Sequence, residues 1–217
     1  MGGAEILQYA ARGPADVRTH IRGYVAESPY LALHPSSQPS RFVVAAGKLA
    51  SRIVPKRKMV QKLDSKNLSR DPDVCKEWAE DELCHDTGTL EGLAGMLERG
   101  DELDRDVVVL EEGQGQGGTT TIWVGHGSDD RVTSYDTSKR WFERLAVKDK
   151  EFKTYEGWYH KCEPSFQVQE FDDEADIVQV HAEPGDDKIT FANDVADWII
   201  ARSGPEIEDG LGAKSKL

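Results

Sequence analysis

The residues that most constrain this chain lie at 120–133, Thr-Thr-Ile-Trp-Val-Gly-His-Gly-Ser-Asp-Asp-Arg-Val-Thr. A short β-branched and aromatic run bounded by glycine reads as a buried strand over 120–124. The strand is expected to stop at Gly125-His126-Gly127, a flexible corner, and the chain leaves that corner carrying two carboxylates, Asp129 and Asp130. In an open α/β sheet, ligands and chemistry gather at the carboxyl ends of the strands. A second strand-like run at 151–155 ends in Glu156-Gly157-Trp158-Tyr159-His160. An acid after one strand and a histidine after the next is the order in which acid and base follow the nucleophile in one class of catalytic triad.

The remaining composition narrows the field. At 217 residues the chain can bury one sizeable core. With 38% hydrophobic and 31% charged residues it is globular in composition rather than disordered. A formal net charge of −13 argues against nucleic acid as a partner, because phosphate binding needs a basic footprint. Cys75, Cys84 and Cys162 have no metal-ligand spacing and are too few for a disulfide framework, which suggests a reducing compartment. No metal or cofactor is implied. No secretory signal is expected at the start, and no apolar run reaches the roughly 20 residues of a membrane span.

Taken in order, the chain opens on Gly2-Gly3 and an amphipathic run at 4–12, ended by Gly13-Pro14. A glycine pair at the mouth of a helix normally follows a strand and keeps the turn tight. A strand is expected at 20–28, closed by Pro29. From 35 to 102 the sequence reads as helical and strand-poor, an insertion between two strands. Phe42, Val43, Ala46, Leu49, Ala50 and Ile53 recur at helical intervals up to Pro55. Leu90, Leu93, Ala94 and Leu97 do the same and are expected to stop near Gly100. Lys56-Arg57-Lys58 could meet an anionic lipid surface, although such triplets are more often solvated loops. Residues 111–118 read as a loop, 135–145 as a helix packed on the sheet through Trp141, Phe142 and Leu145, and 190–202 as a last amphipathic helix. Phe191, Val195, Trp198 and Ile199 form the stripe expected to be buried on it. Residues 204–217 read as a polar tail.

Four segments carry a resemblance to a known family: Ala26-Glu27-Ser28-Pro29, Leu68-Ser69-Arg70-Asp71-Pro72, His126-Gly127-Ser128-Asp129-Asp130-Arg131-Val132-Thr133 and Tyr155-Glu156-Gly157-Trp158-Tyr159-His160. Together they resemble the monoglyceride lipase branch of the α/β-hydrolases, serine aminopeptidase-like (S33) or lysophospholipase proteins, in fungal form. The resemblance covers residues 1–203 and implies the C-terminal part of an α/β-hydrolase sheet, its last three strands, with a helical lid inserted at 35–102. It implies Asp130 as the triad acid and His160 as the triad histidine, which takes the nucleophile's proton while the acid orients it. Asp129 falls at a variable position and reads as a solvated loop acid. His126 reads as a structural residue at the strand end.

The family's elbow is Gly-His-Ser-Met-Gly-Gly, and this chain starts Met1-Gly2-Gly3. The serine would precede Met1, whose backbone N–H would be an oxyanion donor, and no other serine of the chain sits in such an elbow. After His160 the family runs directly to His-x-Glu-Pro, but here residues 162–180 intervene before His181-Ala182-Glu183-Pro184. That acidic segment reads as an inserted loop or a retained intron. Three readings follow: a serine hydrolase of lipid esters, inactive as given for lack of the serine; a non-catalytic remnant binding a ligand or partner; and, weakly, a nucleotide-binding α/β protein lacking a phosphate loop. The resemblance also implies a lipid-ester substrate and peripheral membrane contact through the lid. Finally, Ser215-Lys216-Leu217 matches a peroxisomal import-receptor signal, with a cytoplasmic address otherwise expected.

Overall fold

A computed structural model describes residues 2–160 and 187–204. These fall in two compact units, within Met1–Val180 and His181–Leu217. Met1, the 162–180 segment and the Ser215-Lys216-Leu217 ending lie outside the described residues.

The first unit opens with helix α1 (Gly2–Arg12) and a short helix α2 (Ala15–Arg18), which leads into strand β1 (Tyr24–Glu27). The strand expected at 20–28 is therefore shorter. His20 and Ile21 instead close the turn that leaves α2, their N–H groups donating to the Val17 and Arg18 carbonyls at 3.0 and 2.9 Å. Helix α3 (Arg41–Ile53), strand β2 (Lys58–Val60), helix α4 (Pro72–Glu80) and strand β3 (Thr87–Thr89) follow. Helix α5 (Leu90–Asp104) leads back toward the sheet. Within the insertion β2 and β3 form a short antiparallel pair, so the block is helical with one small ribbon.

Local chemistry explains where these helices start. The side chains of Ser40, Asp71, Thr89 and Ser134 each accept a hydrogen bond from a backbone N–H of the first turn of the helix that follows. Such caps contribute about 1 kcal/mol each. Asp71-Pro72 adds a proline at the first helical position, where the missing N–H costs nothing. Gly100 does not end α5, contrary to the stop expected there; the helix runs on to Asp104. A Cβ at that position would lie 2.6 Å from the Leu31 carbonyl oxygen and 2.8 Å from the Tyr30 ring. The glycine serves close packing of α5 on the chain that leaves β1.

Strand β4 (Thr121–Gly127) is the centre of a three-stranded parallel sheet, between β1 and β5 (Asp149–Tyr155). All seven of its residues are buried, as expected of a central parallel strand covered on both faces. The strand does not stop at Gly125-His126-Gly127. Those residues stay in register, Gly125 opposite Glu27 and Lys153, Gly127 opposite Tyr155. Pairing from two sides outweighs the flexibility that glycine brings. Helix α6 (Tyr135–Arg144) places Trp141 and Phe142 in one core with Leu7, Ala26, Ile122 and Val124.

In the second unit helix α7 (Asp187–Arg202) is described by itself. Phe191 and Trp198 are buried, whereas Ile199, expected in the same stripe, is 47% exposed. The Arg202 guanidinium lies 4.5 Å over the Trp198 ring.

Candidate active site

The site forms where β4 and β5 end on the same edge of the sheet. Asp130 sits three residues past β4 and is 2% exposed. Its Oδ1 accepts the backbone N–H groups of Val132 at 2.7 Å and Thr133 at 2.9 Å. Its Oδ2 accepts the Thr133 hydroxyl at 2.7 Å, His160 Nδ1 at 2.8 Å and His126 Nε2 at 3.0 Å. An ionised carboxylate only accepts, so each imidazole is the donor of its bond. Burial pushes the Asp130 carboxyl up, but the hydrogen bonds donated by His126 and His160 outweigh it and hold the group below the ordinary carboxylate range.

Both sides of the Asp130 loop are pinned. Towards β5, the N–H of Ser128 donates to the Tyr155 carbonyl at 2.9 Å and that of Asp129 to the Trp158 carbonyl at 3.0 Å. The Gly157 N–H, at a positive φ of 73°, returns a bond to Ser128 Oγ at 2.8 Å. Towards β1, His34 N–H donates to the Val132 carbonyl at 3.0 Å and Ser134 N–H to the Ala32 carbonyl at 2.9 Å. Ser28, at the carboxyl end of β1, is held at φ 39°, a strained position for a non-glycine residue preceding proline. Its carbonyl oxygen faces the Thr133 hydroxyl at 3.4 Å.

The His160 loop is braced by aromatic contacts. Trp158 stacks on Tyr155 with ring centroids 4.3 Å apart, and the Arg131 guanidinium lies 4.8 Å over the Tyr159 ring. Gly127 lets this loop approach β4. A Cβ there would fall 2.3 Å from the Trp158 carbonyl oxygen and 2.5 Å from that of Tyr159. Among the described residues His160 makes its hydrogen-bond contacts through Nδ1, to Asp130 and to the Thr133 hydroxyl at 3.4 Å. That leaves Nε2 as the nitrogen for a proton in flight.

The structure thus brings together Asp130 and His160, 30 residues apart. Asp129 is exposed beside them, and its carboxylate faces Ser128 Oγ at 3.5 Å. Sequence reasoning placed His126 at the strand end but missed its bond to Asp130. The signal was available: a histidine inside an otherwise apolar buried strand needs a polar partner. Thr133, present in the motif, was given no role, yet its hydroxyl touches all three charged or ionisable groups. A separate cavity of about 250 Å³ lies between α1 and α5, against Gln8, Tyr30, Leu93 and Met96, and neither Asp130 nor His160 lines it. Burial, with the charge of Asp101, pushes the Tyr30 phenol up to about 12.

Three parallel strands with helices on the sheet, and an acid and a histidine at adjacent strand ends, define an α/β-hydrolase architecture. Residues 1–163 match the sequence profile described as serine aminopeptidase, S33. The chain belongs to that family, and it is monoglyceride lipase-like within it. It is 27% identical over 208 residues to a Schizosaccharomyces pombe protein that bears the monoglyceride lipase name, covering 94% of this chain and 47% of the relative. It is 29% identical over 164 residues to a monoacylglycerol lipase of Mycolicibacterium smegmatis, covering 74% and 52%. The crystal structure of Paleococcus ferrophilus monoacylglycerol lipase superposes with a TM-score of 0.70 at 27% identity, covering 93% of this chain and 65% of that one. The chain spans about half the length of the curated relatives it matches.

Proposed function

We propose that these residues supply the acid and the histidine of a serine hydrolase acting on lipid esters of the monoacylglycerol or lysophospholipid type. The observation that carries the reading is the 2.8 Å bond from His160 Nδ1 to the buried Asp130 carboxylate. In this reading His160 Nε2 takes the proton of a serine hydroxyl as it attacks the ester carbonyl, then returns it to the departing alcohol. Asp130 keeps the imidazole in the Nδ1–H tautomer and stabilises the imidazolium. Water then attacks the acyl-enzyme by the same route. No serine of the 217 residues sits in a Gly-x-Ser-x-Gly elbow, so in this reading they supply the acid and the base but not the nucleophile.

The inserted block serves, in the same proposal, as a lid that touches a lipid surface. Its support is the exposure of an apolar face: Phe42 is 88%, Leu49 61% and Ile53 72% exposed on α3. Lys56, Arg57 and Lys58, also exposed, follow that helix and would meet anionic head groups. Such spacing ordinarily marks a buried stripe; an apolar patch left in solvent marks a contact surface.

A fluorophosphonate probe tests the chemistry. A protein with the family's upstream segment and its Gly-His-Ser joined ahead of Met1 should be labelled, and His160→Ala should abolish labelling. Labelling that survives His160→Ala would overturn the assignment, as would a folded joined protein that never labels.

A further inference from the structure

We propose that His126 is a positioning residue of the Asp130–His160 pair: as a neutral Nε2–H donor it fixes Asp130 Oδ2 and takes a share of its charge, so it sets the strength of the His160 hydrogen bond. The inference rests on the reading of Asp130 and His160 given above.

The geometry carries it. A carboxylate offers about four lone-pair sites, two on each oxygen. Oδ1 is filled by the N–H groups of Val132 and Thr133. Oδ2 faces three donors, the Thr133 hydroxyl and both imidazoles, all within 3.0 Å. Three donors on two sites compete, and the short approaches among them, 3.3 Å from the Thr133 hydroxyl to His126 Nε2 and 3.4 Å to His160 Nδ1, record the crowding. His126 is rigid in this contest. It is fully buried on a central strand, and its ring meets Tyr135 edge-on at 5.7 Å. Tyr135 is itself held by Thr154 Oγ1 at 2.9 Å.

The protonation state of His126 follows from its other nitrogen. Nδ1 is buried with no hydrogen-bond partner among the described residues. An imidazolium would place a second, charged N–H there without an acceptor, whereas a bare nitrogen costs far less. Among the described residues, the titratable and charged groups in contact with His126 are Asp130 and, through Oδ2, His160, with Tyr135 from α6. Arg131 is turned over Tyr159 and Asp129 is exposed. None of these offers Nδ1 a carboxylate. His126 therefore donates from Nε2 only, and the charge on Oδ2 is divided between the two histidines.

Proton and ¹⁵N spectra of the intact protein, labelled at histidine, test this. Two low-field imidazole protons are expected, from His126 Nε2–H and His160 Nδ1–H, with His126 Nδ1 showing the shift of an unprotonated nitrogen at neutral pH. In His126→Leu the His160 proton should move further downfield, because a competing donor has gone. In His126→Gln, whose amide N–H reaches the same region, it should return toward the wild-type position. A residue that only fills space would leave the His160 proton unmoved in both variants, and that result overturns the proposal. Finding His126 in wild type as an imidazolium, or as the Nδ1–H tautomer, overturns it too, so the test stands even if His126→Leu does not fold. A positive result in a joined protein that fluorophosphonate never labels would remove the hydrolase reading and leave the hydrogen-bond arrangement intact.

Discussion

Replacing Gly127 by alanine should disconnect the acid from the histidine without touching either. The new Cβ would sit 2.3 Å from the Trp158 carbonyl oxygen and 2.5 Å from that of Tyr159, both backbone atoms. Those carbonyls must withdraw by roughly 1 Å to reach van der Waals contact. Tyr159 immediately precedes His160, so the displacement passes to the imidazole. A 2.8 Å bond to Asp130 lengthened by that amount exceeds hydrogen-bonding range. The loss of a charge-assisted bond costs about 1.5–3 kcal/mol, and a 1 Å misplacement near the chemistry costs about 10²-fold in rate. The assay is twofold: the low-field His160 proton, expected to vanish, and kcat of the joined serine-bearing protein on a monoacylglycerol, expected to fall about 10²-fold with KM little changed. A Gly127→Ala protein that keeps the low-field proton and retains kcat within threefold of wild type, a margin of roughly 0.7 kcal/mol, would refute the argument.

Other consequences follow from the same geometry. The Asp130 carboxyl is held below its ordinary range, so its contribution to stability is present above about pH 4, where the unfolded group is also ionised, and is lost as pH falls toward the lowered folded value. Asp130→Asn should lower Tm at neutral pH and flatten the acid limb of Tm against pH; an acid limb of unchanged slope would count against the ionised, hydrogen-bonded carboxylate. On the insertion, Phe42→Ser, Leu49→Ser and Ile53→Ser should each weaken binding to phosphatidylglycerol-containing vesicles by roughly tenfold, with no loss of helix by circular dichroism. Vesicle binding insensitive to all three would remove the lipid-contact proposal. Residues 204–217 fused behind a fluorescent protein are expected to direct it to peroxisomes, and fluorescence that stays diffuse with or without Leu217 would show the ending to be accidental.

The sheet was legible because its strands obey simple patterns. The runs at 120–124 and 151–155 were readable as strands from their β-branched and aromatic residues, and the structure places strands there at Thr121–Gly127 and Asp149–Tyr155. The longer helices were legible from the spacing of their apolar residues. What the sequence hid is tertiary in origin. The Gly125-His126-Gly127 segment looks flexible in one dimension and is locked by two neighbouring strands. Gly100 looks like a stop and is a packing notch against Leu31. Phe42 and Ile53 share the periodicity of core residues, because period alone does not say which side of a helix finds a partner. At the site, the spacing of acid and histidine was readable, while the three-donor arrangement on Oδ2 required knowing that residue 126 points at residue 130 from inside a strand.

The most direct test of the account is steady-state hydrolysis of a monoacylglycerol by the joined serine-bearing protein, comparing wild type with His160→Ala and Asp130→Asn. The geometry predicts a loss of roughly 10⁴-fold or more in kcat for both substitutions, with KM nearly unchanged because neither residue binds the acyl chain. Either variant retaining kcat within tenfold of wild type would contradict the assignment of the Asp130–His160 pair.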